Sequence, residues 1–504
     1  MSYPFLGLGF NSWTQKFSRG GPPAVPAVIQ AFLEYVTTTV SSFTLRSTGT
    51  VDYEVDWGDG TVETLTTTAP THTYSSAGEY TIKVTPAQGS TYRPYFNNAV
   101  SDSSIASISG LGGSQLGTIL SDAWEGASNM TSFSSDIDTS SVTDFSYTWR
   151  NCAGLTSFPQ LDVSSGTNFY QTWRDCSSLT SFPLLNTSIG TNFTYTWRNC
   201  SGLTSFPLLN TSSGTSFSNA WYGCSGLTSF PLLNTSSGTS FSDAWDGCSG
   251  LTSFPLLNTS SGTNFTSAWD GCSGLTSFPL LNTSSGTNFA YCWSDCSSLT
   301  SFPLLNTSIG TNFTYTWRNC SGLTSFPQLN VSSGTNFAYC WSGCSGLTSF
   351  PLLNTSSGTT FRYTWHSCTG LTSFPQLDVS NGTNFLSTWY GCSGLTSFPQ
   401  LDVSSGTSFG NAWRGCSGLT SFPANMFDTT GTLFSTAFSY AFDNCSLTAQ
   451  SIENILVSLD TNGASNITLG IVGGSNAGYS TWTAAAQTAL TNLQGKGWNV
   501  TYNA

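Results

Sequence analysis

The chain runs to 504 residues, of which only 7% are charged while 14% are aromatic. With 35 Phe, 19 Tyr and 17 Trp it has ample surface to bury, which excludes disorder and points to an arrangement that sets those rings in register. A net charge of −13 with only 12 Lys and Arg excludes nucleic acid and anionic membranes as partners, because phosphate neutralisation needs clustered cations.

Residues 1–45 open with MSYPFLGLGFNSWTQKFSRGG, which has neither a basic leading region nor an unbroken apolar core, so no secretory signal is expected. No stretch approaches the roughly 18 apolar residues of a membrane span. The Pro-rich GGPPAVPAV and the following IQAFLEYVTTTVSSFTL predict an extended arm leading into a first strand or short helix. Phe5, Leu6, Leu8, Phe10 and Trp13 are costly to leave in water, so the arm is expected to attach to a partner or to cover the next domain.

Residues 46–110 alternate as strands do, in VDYEVDWGDGTVETL and THTYSSAGEYTIKVTP, and predict a small antiparallel sandwich. Trp57-Gly58-Asp59-Gly60, followed by His72, Tyr74, Gly78 and Tyr80, resembles the PKD family of immunoglobulin-like modules. That resemblance implies a spacer or interaction domain, with Asp59 shaping the turn through backbone hydrogen bonds. Asp52, Asp56 and Asp59 fit turn and surface roles better than a calcium site.

Residues 111–445 are dominated by a 24-residue repeat, of which TNFTYTWRNCSGLTSFPLLNTSSG at 191–214 is one copy. Units this small cannot bury their own apolar residues, so they must stack and be capped at both ends. Within a unit Phe193, Trp197, Cys200, Leu203, Phe206 and Leu209 recur three or four apart. The Phe-x-x-x-Trp-x-x-Cys part predicts a short helix or 3₁₀ turn, and Leu-x-x-Phe-Pro-x-Leu-Asn a short strand. The fold class expected is therefore a β-rich, leucine-rich-repeat-like solenoid behind an immunoglobulin-like sandwich. Cysteines every 24 residues from Cys152 to Cys416 predict a buried ladder of reduced thiols; adjacent rungs have parallel side chains, unsuited to a disulfide dihedral. Cys292 and Cys340 are two rungs apart, too far to bridge.

The pattern F-x-x-x-W-x-x-C-s-x-L-T-S-F-P, with the divergent first rung SDAWEGASNMTSFSSDIDTSSVTDFSYTW, resembles the BspA-type leucine-rich repeats of bacterial and viral surface proteins. The resemblance covers about two-thirds of the chain and implies an adhesive or surface-interaction protein, of a kind also found in tailed phages. It implies a virion or, alternatively, a bacterial cell surface as the location. The partners implied are neighbouring virion or surface proteins through the arm, a host protein or glycan, and further copies of the chain.

Residues 446–504 break the period. SLTAQSIENILVSLDTNG predicts a capped amphipathic helix, ITLGIVGG a strand, and the remainder a helix and final strand that close the stack as an α/β cap.

No catalytic, metal or cofactor constellation is legible. The two histidines, His72 and His366, adjoin no nucleophile motif, and the recurring SSGT and CSGL are turn sequences rather than phosphate loops. Asp175, Asp246, Asp270 and Asp295 fall at variable outer positions, which fits a solvated face rather than a glycosidase pair. The asparagine triplets such as NTS match glycosylation sequons but follow from copying one unit.

Variation between copied rungs marks an outer stripe: Tyr147, Arg150, Arg174, Tyr195, Arg198, Tyr222, Tyr315, Arg318, Tyr339, Tyr363, His366, Tyr390 and Arg414. Tyr and Arg are the residues enriched at contact surfaces, although a merely solvated face would vary too. An apolar row, Leu184, Leu208, Leu232, Leu256, Leu280 and Leu304, either points outward and wants a partner or lies partly under the turns. The function expected is structural and binding, without catalysis.

Overall fold

A computed structural model describes residues 32–49, 51–97 and 103–504. The sandwich comprises β1 (Leu33–Thr37), β2 (Val40–Thr44), β3 (Ser47–Thr48), β4 (Tyr53–Asp56), β5 (Val62–Leu65), β6 (Thr71–Gly78), β7 (Thr81–Pro86), β8 (Arg93–Pro94) and β9 (Ile105–Ser109). Together with β10 (Ser132–Phe133), five of these make one sheet in the order β10-β9-β1-β7-β4-β5, and β2 pairs with β6 opposite it. The arm expected over 1–45 therefore ends earlier. Its last part is strand, because Leu33, Tyr35 and Thr37 alternate inward and β1 has ladders on both sides, to β7 and β9.

The WGDG turn has the role expected of it. Asp56 accepts the Gly58 N–H at 3.0 Å, and Asp59 accepts the Thr61 N–H at 3.0 Å. His72 reaches the other Asp59 oxygen at 2.8 Å and stacks on Trp57, whose indole donates to Glu63 at 2.7 Å.

Beyond β10 the chain winds in 24-residue coils stacked in parallel register. Asn168 bridges Asn192, which bridges Ser216, and the same step repeats to Ser408. Each coil is held to the next by alternate N–H groups. Phe193, Tyr195, Trp197 and Asn199 donate to the carbonyls of Ser216, Ser218, Ala220 and Tyr222 at 2.7–3.0 Å. The intervening Thr196, Arg198 and Cys200 donate back three residues within their own coil, to Phe193, Tyr195 and Trp197.

This corrects the expected local structure. No helix forms across Phe193–Cys200, because Tyr195 and Asn199 are left-handed, with φ of 60° and 59°, and a right-handed helix cannot pass through them. Nor does Leu-x-x-Phe-Pro-x-Leu-Asn form a strand. Pro207 has no N–H to give, and the Leu209 N–H turns back onto the Pro207 carbonyl at 2.9 Å. The strand of a typical rung shrinks to one bridge residue just before the Phe at the head of the unit, with a second bridge, Ser397 to Ser421, near the far end.

The core is a set of continuous columns. Trp197 stacks on Trp173 at 5.8 Å and on Trp221 at 5.5 Å, while Phe193 stacks on its counterparts at 5.5 and 5.6 Å. Phe206 wedges edge-on against Trp197 at 4.9 Å. Every cysteine is buried and none is in a disulfide; Cys200 Sγ donates to the Trp173 carbonyl at 3.1 Å, and burial pushes the Cys224 thiol up to about 12. Cys292 and Cys340 occupy the small buried site before Trp that is Thr196 or Ala220 on other rungs.

Both ends are closed. The first rung pairs through β10 with β9 of the sandwich, and at the far end β11 (Thr468–Ile471) runs parallel to β12 (Asn499–Tyr502). Helices α1 (Ala449–Asn462) and α2 (Ala484–Gly495) cover that end as expected, with Thr448 and Thr483 as N-caps and Gly463 as a left-handed C-cap.

Candidate functional site

The turn chemistry of each rung fixes two outer columns. The residue two before Trp is left-handed in every rung from Tyr147 to Asn411, with φ between 50° and 60°. Its variable occupants, Tyr, Gln, Asn, Asp and Ser, are therefore constrained by backbone as well as by solvent. Holding a tyrosine there costs roughly 1–2 kcal/mol against a right-handed conformation, so the aromatic positions are occupied against a local penalty.

What the tyrosines gain is stacking. Tyr291, Tyr315, Tyr339 and Tyr363 form one column with centroids 4.5, 4.4 and 4.5 Å apart and rings within 9° of parallel. Their faces cover one another, so the column offers edges and hydroxyls outward. His366 continues it, stacked on Tyr390 at 4.8 Å; burial lowers the histidine's proton affinity, and Ser367 Oγ lies 3.0 Å from its Nδ1. Arg318, Tyr339, Ser342, Tyr363 and His366 line a shallow groove of about 300 Å³.

At the sandwich end the column is cationic. Arg150 lies over Tyr147 and reaches Glu125 at 3.3 Å, a carboxyl that burial pushes up to about 7. Arg174 lies over Tyr195 and pairs with Asp175 at 2.9 Å. Arg198 lies over Tyr222 at 4.1 Å and donates to Asn219 at 3.1 Å. Further on, Asp246 and Asp270 sit on adjacent rungs. Burial pushes their carboxyls up to about 7 and about 6, and each is raised further by a neighbouring aspartate.

All the stripe residues predicted from sequence are half-buried and brought into this one band. Sequence reasoning missed Arg362, whose guanidinium lies 5.4 Å from the centre of the Tyr339 ring, and Tyr170, which packs edge-on between Tyr147 and Tyr195. Both lie three residues before Trp, where other rungs carry Thr, Ser, Ala, Leu or Gly, so comparing that position across rungs would have found them. Tyr440, against Arg414 at 5.1 Å, was hidden because Cys445 follows Cys416 by 29 residues rather than 24.

The apolar row is outward. Leu184, Leu208, Leu232, Leu256, Leu280 and Leu304 are 61–62% exposed, and Leu352, at the same place in the period, is 57% exposed. On two rungs Gln160 and Gln328 replace the leucine and donate to the carbonyls of Leu184 and Leu352, one rung on. The arm residues Phe5, Leu6, Leu8, Phe10 and Trp13 lie outside the described residues.

Among known proteins, residues 23–92 match the PKD domain family, in agreement with the sandwich and its WGDG turn, and this part of the chain is a PKD domain. No curated protein matches the chain. A solved structure described as the TLR13–ssRNA13 complex is similar at 12% identity over 70% of this chain, with a TM-score of 0.18, too loose a superposition to carry an argument. The match spans about half, 55%, of that protein's length.

Proposed function

We propose that the chain is a non-enzymatic structural and binding protein, a phage virion appendage whose leucine-rich-repeat-like stack presents a long surface to a host protein or glycan. The observation that carries this reading is the persistence of the outer features along the stack. The half-buried band, Tyr and Arg on most rungs and Asp246 and Asp270 on two, and the exposed Leu row lie on a core that varies hardly at all. An evolving contact surface on a fixed scaffold has this form. The likeness of the repeats to BspA-type arrays, and of the module before them to PKD domains, supports a surface location, with the N-terminal arm that carries Phe5 to Trp13 as the attachment segment. A bacterial cell-surface adhesin is the alternative location for the same surface.

Cryo-electron microscopy of particles carrying the chain tests this. The expected result is the N-terminal segment seated in a capsid or tail, with the repeats projecting. Recovery of the chain only from cell envelopes free of particles would transfer it to the adhesin reading.

A further inference from the structure

Read along the position after Trp, the band is antisymmetric in charge about one rung. Arg150, Arg174 and Arg198 precede Tyr222; Asp246 and Asp270 follow it, and Asp295 adjoins Ser294 on the next rung. The rungs are evenly spaced across this centre. Trp221 lies 5.5 Å from both Trp197 and Trp245, and the next steps outward are 5.8 and 5.3 Å.

The innermost charges make no ion pair among the described residues, and Arg198 instead lies over Tyr222 and donates to Asn219. Arg198 has no carboxylate at ion-pair distance among the described residues, and its buried Nε has no hydrogen-bond partner. Asp246 and Asp270 likewise have no cation at ion-pair distance. Arg150, Arg174 and Asp295 have neighbours of opposite sign in the chain, at 3.3, 2.9 and 3.9 Å, so the innermost pair, Arg198 and Asp246, carries the most weight.

We infer that this band is a self-association surface, on which a second copy of the chain docks antiparallel about a two-fold axis at Tyr222. That axis sets Arg198 against Asp246 of the partner subunit, Arg174 against Asp270 of the partner subunit, and Arg150 against Asp295 of the partner subunit. Each pair occurs twice, as an isologous interface requires. Tyr222 meets its own copy at the centre, where a buried aromatic contributes most. The face spans six rung intervals, about 29 Å at the usual spacing of parallel strands. The two sandwich domains then lie at opposite ends of the pair, while the Leu row and the Tyr315–Tyr363 part of the tyrosine column stay free for other contacts. The inference rests on the charge order and the rung spacing, not on a virion location, so either can fail alone.

Sedimentation velocity of the full chain at low salt reads the association directly. The wild type is expected to be dimeric, weakening as salt rises. Arg198→Glu and Asp246→Arg are each expected to weaken association on the order of 100-fold, since each sets like charges opposite one another twice. The double variant R198E/D246R is expected to restore it. An independent reading that tolerates weak folding effects uses cross-linking. Tyr222→Cys should form a disulfide with itself, and a mixture of R198C and D246C chains should form the mixed dimer, the native thiols being buried. A wild type that stays monomeric, single reversals that stay dimeric, a double variant that does not recover, or absence of these cross-links would each overturn the inference. A monomer that instead captures a polycationic peptide at Asp246 and Asp270 would overturn it in favour of a basic partner.

Discussion

The residue two after Trp is the second left-handed position of each rung, and its occupants from Asn151 to Gly415 are all Asn, Asp, Ser or Gly. These are the residues that tolerate positive φ, by lacking Cβ or by bonding locally through a short polar side chain. At Gly247, φ is 71° and a Cβ would find Gly223 Cα no nearer than 3.5 Å, so space is available and only conformation is restricted. Gly247→Asn is therefore expected to cost a few tenths of a kcal/mol, and Gly247→Val roughly 1–2 kcal/mol, the left-handed penalty of an ordinary residue. Urea midpoints of the two variants check this; equal losses would show that packing, not φ, selects the residue.

At the scale of the rung, the acidic pair is where a surface feature has a stability consequence. Asp246 and Asp270 are held partly out of water and face Asp243 and Asp295, with Arg198 and Arg318 as the opposing cations. Because their folded proton affinities lie above the ordinary 3.8, the native state takes up protons that the unfolded chain has released. The stability they leave in place is full below about pH 4 and is lost as pH rises through 6 to 7. In dilute, monomeric protein, Asp246→Asn with Asp270→Asn is expected to add roughly 1–2 kcal/mol at pH 8, after allowance for the solvent that still screens the pair. It should add nothing at pH 4. Thermal unfolding at the two values checks the sign, and a gain that is the same at both would refute the electrostatic account.

For the whole molecule the columns matter more than any rung. Thirteen buried indole N–H groups, from Trp124 to Trp413, have no hydrogen-bond partner among the described residues, a cost that an isolated core would bear poorly. Here each ring from Trp149 to Trp413 has another aromatic ring packed above and below it, and the stack is sealed by β9 at one end and by the α/β cap at the other. The cap is bonded in, not merely apposed. The Phe422 and Phe427 N–H groups donate to Ser451 and Ser458 of α1 at 3.0 and 2.8 Å. Ending the chain after Cys445 is expected to bare the last rung as a sticky parallel edge, giving aggregation at micromolar concentration by light scattering. A truncated chain that stays monomeric and melts as the full chain does would show that the cap is dispensable.

The sequence by itself determined the repeat, the inward residues and the reduced thiol ladder, because a fixed period of 24 carries Trp197, Cys200 and Leu203 to the same place on every rung. It also determined the PKD turn and both cap helices, whose signals are local: WGDG, and Thr448 and Thr483 as N-caps. It did not determine the path within a rung. The three- and four-residue spacing of Phe193, Trp197 and Cys200 is that of a helix, yet alternate N–H groups are claimed by the neighbouring coil and Tyr195 and Asn199 turn left-handed to release them. Only tertiary stacking decides that contest. The same stacking exposes Leu184 while burying Leu185 beside it, and brings Arg198 over Tyr222, contacts between residues that no single 24-residue unit contains.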